Sequence, residues 1–196
     1  MIENALTLRK VNVKTKITVK TIVAVSLVIL AIAFPQLIHL VAGASGGMTL
    51  LPMYLPVMLS GALLGTWWGL GVGIASPFFS YLITSAFGSP MPMLSRLPFM
   101  IVELAVFAVI TGLFSNRIAK NKWLTIPAIL LAEVGGRLTF LAMAGIFENI
   151  SSLSFNMVLN QILSGWIGLV LWLVVAPIIL ITVSTLINKE KANEQN

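Results

Sequence analysis

The chain contains no cysteine, which excludes disulfides and thiolate-held metals or clusters. It contains one histidine, His39, so a multi-histidine metal site is excluded as well. Charge is scarce: Asp, Glu, Lys and Arg make up 9% of 196 residues, and only six of them are acidic. A soluble domain of this length needs far more polar surface. No G-x-x-x-x-G-K-[ST] segment occurs, so the chain has no phosphate loop with which to hydrolyse ATP. No secretory signal is evident either. The basic start "MIENALTLRKVNVKTKITVK" runs straight into an apolar stretch long enough to span a bilayer, and "AIAFPQ" is a poor cleavage site. That stretch reads as a retained helix. Nothing calls for a cofactor or a metal.

What is present is apolar sequence, 58% of the chain. This predicts an all-α integral membrane protein, a single membrane domain over residues 1–196 with short polar tails at 1–13 and 190–196. Six apolar segments stand out: Ile17–Leu40, Leu51–Leu64, Trp67–Phe87, Leu97–Phe114, Leu124–Phe147 and Phe155–Ile187. A span takes roughly 20 residues, so the second is short and the sixth long. The short one must tilt, begin in a loop or be screened by its neighbours. Basic residues test this map. Arg9, Lys10, Lys14, Lys16 and Lys20 lie before or at the very start of the first segment, Arg117, Lys120 and Lys122 separate the fourth from the fifth, and Lys189 and Lys191 follow the sixth. Six spans put all three groups on one side, which the positive-inside rule makes the cytoplasm, with both termini there. Five or seven spans would split them. The net charge of +6 is accounted for in this way, without nucleic acid. The opposite loops, "HLVAGASGGMTL", "GSPMPMLSR" and "ENISS", are nearly uncharged.

Against this background "LLAEVGGRLTF" is unusual, because it carries Glu133 and Arg137 in an apolar run. Glu103 lies in "FMIVELAVF". At 1.5 Å per residue, Glu103 falls about 10 Å and Arg137 about 13 Å below the outer ends of their helices. The two share a layer in the outer half of the membrane. Asn160 lies in the same layer, Arg96 at its mouth, and Glu133 one turn deeper. Ionisable groups at such depth face a partner or a cavity. Two readings follow. Glu133 and Arg137, spaced i, i+4, can pair on one helix face, or Arg137 can pair with Glu103 and only hold the bundle together. Alternatively, the polar groups converge on an outward-facing pocket, with Glu103, Arg137, Arg96, Phe99, Phe107 and Asn160 as its substrate-binding residues.

Two protease signatures fail. "GASG", Gly43 to Gly46, matches the G-x-S-G of rhomboid proteases, but their general base must come from another helix and His39 lies just upstream on the same segment. "AEVGGR" has only part of the E-E-x-x-x-R pattern of CAAX-protease-like enzymes, and no later histidine follows. The glycines Gly61, Gly65, Gly69 and Gly73, every fourth residue, predict close helix packing combined with a turn. Trp67 and Trp68 fit an interface position.

From Leu51 to Phe140 the chain resembles the substrate-binding S components of energy-coupling factor (ECF) transporters. The residues that carry the likeness are Leu51-Pro52, Gly61, Gly65, Gly69, Gly73, Ser76-Pro77, Ser80, Gly88, Pro90 and Pro92, then Glu103-Leu104-Ala105, Gly112-Leu113 and "GGRLTF" from Gly135. The A-x-x-x-A of the family's first helix is Ala24 and Val28 here. The resemblance implies a non-enzymatic, high-affinity binding subunit in a bacterial plasma membrane. It would import a small vitamin or precursor (pantothenate, pyridoxine or a hydroxymethylpyrimidine among the candidates). Its partners would be lipid, a transmembrane coupling subunit and two cytoplasmic ATPases. Arg137 would then offer a forked donor to a carboxylate or carbonyl, and Glu103 would accept from a hydroxyl, amine or ring nitrogen. The competing reading is a stand-alone small-molecule transporter or channel.

Overall fold

A computed structural model describes residues 12–149 and 153–194. Seven α-helices occur among them: α1 Val13–Leu50, α2 Tyr54–Leu64, α3 Thr66–Ala86, α4 Leu97–Lys120, α5 Thr125–Ile146, α6 Phe155–Ser164 and α7 Trp166–Glu194, with a 3-10 turn at Lys122–Leu124. No strand occurs among the described residues. Five stretches are long and apolar enough to cross a membrane: Val13–Gly43, Thr66–Ala86, Leu97–Lys120, Lys122–Ile146 and Trp166–Leu186. Their surfaces fit that solvent. Ile22, Ile29 and Leu37 on α1, Phe78 and Leu82 on α3, and Val170, Val174 and Ile178 on α7 are all exposed, while Ser60, Ser76, Thr111 and Ser115 are buried. An apolar exterior over a core containing polar groups is what a helical bundle in lipid requires. The buried hydroxyls close on backbone carbonyls, Ser76 Oγ on Val72 at 2.7 Å and Thr111 Oγ1 on Phe107 at 2.9 Å. Ser115 Oγ donates across helices to the Ala62 carbonyl at 2.7 Å.

The short second segment is resolved by screening. Every residue of α2 is buried. At about 16 Å it covers only half a bilayer core. It survives there because α1, α3, α4 and α7 pack around it. Gly65, with φ +90, turns the chain from α2 into α3. The other glycines of the series serve close approach. A Cβ on Gly73 would come 2.8 Å from the Leu104 carbonyl, one on Gly69 2.6 Å from Gly61 Cα, and one on Gly61 would overlap Thr111 and the Ala108 carbonyl. Gly112 of α4 meets Thr66 in the same way, so α2, α3 and α4 touch backbone to backbone. Trp67 is exposed at the turn.

Two expected boundaries differ. The segment around "GASG" is helical rather than a loop: α1 bends at Gly43, whose φ of 68 and ψ of −174 leave the helical region, and continues to Leu50. The side chain of Ser45 lies outside the described residues. The sixth apolar segment is two helices, since α6 stops at Gly165 and α7 starts afresh at Trp166. Gly165 is buried, and a Cβ there would come 3.0 Å from a Leu51 side-chain methyl and 3.6 Å from Arg137 Nη2. The tail up to residue 11, with Arg9 and Lys10, and residues 150–152 of "ENISS" lie outside the described residues.

Candidate functional site

A cavity of about 490 Å³ opens at one end of the bundle. Its walls come from α1 (Pro35, His39, Gly47), the corner Leu51–Met53, Ser80 of α3, the stretch Gly88–Met93, Arg96 and Met100 at the start of α4, Phe140 of α5 and Gln161 of α6. The volume is that of a small-molecule site, and the lining is mostly apolar with a few polar groups. Chain direction sets its distance from the basic residues. Some 19 residues of helix, about 28 Å, separate Lys20 from His39, and about 32 Å separate Arg96 from Arg117. The cavity and the cluster Arg117, Lys120 and Lys122 therefore occupy opposite ends of the bundle.

Each wall is held by specific contacts. Bending at Gly43 brings the His39 ring over Gly47, where a Cβ would sit 2.5 Å from Nε2. Leu51 adopts a left-handed conformation, φ 49, unusual for a branched side chain. Trp172 of α7 fixes this corner by donating its indole N–H to the carbonyls of Leu50 (2.6 Å) and Leu51 (3.1 Å). Gly168 gives the room, because a Cβ there would lie 2.5 Å from the Thr49 carbonyl. Across the cavity, Ser80 Oγ donates to the Met91 carbonyl at 2.8 Å, and the Met91 N–H donates to Thr84 Oγ1 at 2.7 Å. These bonds tie the Gly88–Met93 stretch, which includes a cis Met91-Pro92 bond, down onto α3.

Tyr54 is the floor. Its ring is buried, meets Phe107 edge-on at 4.6 Å between centroids, and lies 4.9 Å from the Arg137 guanidinium carbon. Its hydroxyl lies beside the Glu103 carboxyl group. Behind it, Arg137 Nη1 is 3.1 Å from Glu103 Oε1. The distance is that of an ion pair, but the N–H is not aimed along it. None of the three guanidinium nitrogens, nor Glu103 Oε1 or Glu133 Oε1, has an aligned hydrogen-bond partner. Glu103, Glu133 and Arg137 are 1%, 4% and 5% exposed. Two carboxylates and one guanidinium are thus enclosed together with spare hydrogen-bonding capacity, an arrangement that is costly in an apolar surround.

The expected residues divide around this floor. Arg96 lines the cavity. Glu103 and Arg137 meet one another beneath Tyr54 rather than opening to the cavity wall, and Arg137 takes its ion pair from α4, not from Glu133 one turn away. Phe107 supports Tyr54 from below. Phe99 is buried in a side cluster with Phe140 (6.3 Å) and Phe147 (6.4 Å). Asn160 is exposed on α6, and its neighbour Gln161 faces the cavity instead. The room beside Arg137 at Gly135 and Gly136 is filled by α4, namely Ile110 and the Phe107 ring. Sequence reasoning missed Tyr54, His39, Gln161 and the methionines Met53, Met91, Met93 and Met100. A usable signal existed for Tyr54: a tyrosine within an apolar run needs a partner for its hydroxyl. No protein-family model, curated protein or solved structure matches the chain.

Proposed function

We propose that this chain is the membrane-embedded, high-affinity substrate-binding subunit of an ECF-type importer for a small vitamin or vitamin precursor. In this reading six segments cross a bacterial plasma membrane: α1, the screened α2, α3, α4, α5 and α7, with α6 packed at the outer end. Both termini and the Arg117–Lys122 connection are cytoplasmic, so the cavity opens outward. A coupling subunit and two ATPases supply the energy, since the chain has no nucleotide loop of its own.

The observation that carries the proposal is the cavity of about 490 Å³ at the end remote from the basic residues, closed below by Tyr54 and the buried Glu103–Arg137 pair. A pore would need a path through the bundle, and here the floor is packed: Phe107, Gly136 and the charged pair fill the level under Tyr54. A dead-ended pocket suits capture better than conduction.

Purification of the tagged chain from its native membrane tests this. Copurification of a nucleotide-hydrolysing complex, and vitamin uptake into liposomes only when that complex is included, is the expected result. Accumulation against a gradient by the chain alone would instead establish a stand-alone carrier.

A further inference from the structure

Taking the cavity as the substrate site of the importer proposed above, we infer that its ligand is a small organic anion, and that Arg96, not Arg137, is the residue that reads the negative charge. Among the described residues lining the cavity, Arg96 is the one charged side chain, and no Asp or Glu is present. The described ion pair is used elsewhere, between Arg137 and Glu103 beneath the floor. Among the described residues Arg96 has no ion-pair or side-chain hydrogen-bond partner. A guanidinium at the rim of an apolar cavity, half-buried and without a counter-ion, is a site for a carboxylate or phosphate oxygen.

The backbone beside it adds to this preference. Arg96 is the N-cap of α4, a 24-residue helix, and Met93, Arg96 and Met100 of that entry turn all line the cavity. The positive end of the helix dipole therefore lies at the same rim. Pro98 in the first turn has no N–H, so the side chain, not the amides, provides most of the donor capacity. His39 and Gln161 offer further hydrogen-bonding groups to the rest of a polar ligand. The body of the ligand meets Met53, Met91 and Met100, thioethers that adapt to irregular shapes, and rests on Tyr54. Cations are disfavoured, because the carboxylate that would attract one, Glu103, is enclosed with Arg137 and does not line the cavity.

The test uses matched probes on the purified full chain in nanodiscs: pantothenate, its uncharged alcohol pantothenol, pyridoxine and hydroxymethylpyrimidine. Binding is followed by titration and by melting temperature, and any molecule retained through purification is identified by its mass. The expected result is that an acid is retained or that pantothenate binds. Pantothenol, in which a CH2OH group replaces the carboxylate, should bind at least 10-fold more weakly. Arg96→Gln should lower affinity for the acid roughly 10- to 100-fold and change any affinity for pantothenol much less, with Arg96→Lys intermediate. Preferential binding or retention of pyridoxine, hydroxymethylpyrimidine or another uncharged or cationic molecule overturns the inference. So does an Arg96→Gln variant that binds the acid normally, and so does a chain that retains nothing and responds to none of the four. Copurification with the ATPase complex is scored separately, so the importer reading can stand while the anion inference falls.

Discussion

Arg137 of α5 reaches Glu103 of α4, Nη1 to Oε1 at 3.1 Å, directly beneath the Tyr54 ring. This contact links three helices through side chains that lipid would otherwise reject. It also separates two roles that composition alone leaves merged: the buried pair shapes the cavity floor, and the guanidinium of Arg96, unpaired among the described residues, stands at the rim. The floor is made by α2, which is too short to cross a membrane alone and is positioned by glycines of its own and of α3. Backbone packing at Gly61, Gly69 and Gly73 therefore comes before the site, not after it.

Those glycines differ in what surrounds them, and their substitutions should differ accordingly. Gly73→Ala would press a methyl against the Leu104 backbone, which cannot swing aside. Overpacking of this kind costs about 1–3 kcal/mol. Gly71 of the same helix has open space where its Cβ would be. Gly71→Ala should leave melting temperature and yield near those of the parent, and Gly73→Ala should lower both. Equal behaviour of the two would mean that α3 does not approach α4 so closely.

Topology is testable because the chain has no cysteine. Ser95 and Asn121, both exposed, flank α4 at its two ends. Ser95→Cys should react with an impermeant maleimide in intact cells, and Asn121→Cys only after permeabilisation. Labelling of both from one side would exclude a membrane-crossing α4 and the outward-facing cavity with it.

Trp172→Phe should loosen the cavity corner while keeping the packing of the ring against Phe34, whose centroid lies 5.9 Å away. The lost indole N–H leaves the carbonyls of Leu50 and Leu51 short of a donor. Hydrogen bonds between membrane helices average about 0.6 kcal/mol and reach about 1.7. A small fall in melting temperature is expected, with a larger effect on ligand affinity, because Leu51 lines the cavity. A change in stability with unaltered affinity would show that the corner does not depend on this bond.

Much of this was legible in the residues and some was not, for physical reasons. Length and hydropathy place α3, α4 and α5, since lipid imposes a long apolar run on each. They do not show that α1 continues through a bend at Gly43, because glycine signals a break and a helix can resume beyond it. They do not show that the last segment divides at Gly165, because one glycine in a long apolar run is also compatible with unbroken helix. At the site, depth alone brings Glu103 and Arg137 to one layer. Whether Arg137 turns toward Glu103 or Glu133 depends on rotation about the helix axis, which depth does not encode. Tyr54 escaped notice because its function comes from the residues around it, and whether Asn160 or Gln161 reaches the cavity depends on rotation about the axis of α6, which depth does not encode either.

The buried pair gives the sharpest prediction. Beneath Tyr54 it faces no open wall, so its loss should act first on folding. Removing one member of a buried ion pair costs about 3–5 kcal/mol, because the other charge is left without compensation. Arg137→Met strands two carboxylates, Glu103 and Glu133, in an enclosed space, and should be the most damaging single change. Glu103→Gln leaves Glu133 nearby to compensate Arg137 and should cost less. The double variant Glu103→Gln/Arg137→Met retains a single carboxylate and should recover part of the melting temperature lost in Arg137→Met. Tyr54→Phe keeps the aromatic floor while removing the hydroxyl beside Glu103, and where a hydrogen bond to a charged group is lost the cost is about 1.5–3 kcal/mol. Melting temperature without ligand and affinity by titration are measured together on all four. Stability losses in the order Arg137→Met, double variant, Glu103→Gln, with the folded fraction of each still binding within a few-fold of the parent, are expected. Normal stability combined with abolished binding in Arg137→Met would show instead that the guanidinium reaches the ligand itself, and the division of roles between Arg96 and Arg137 would have to be reversed.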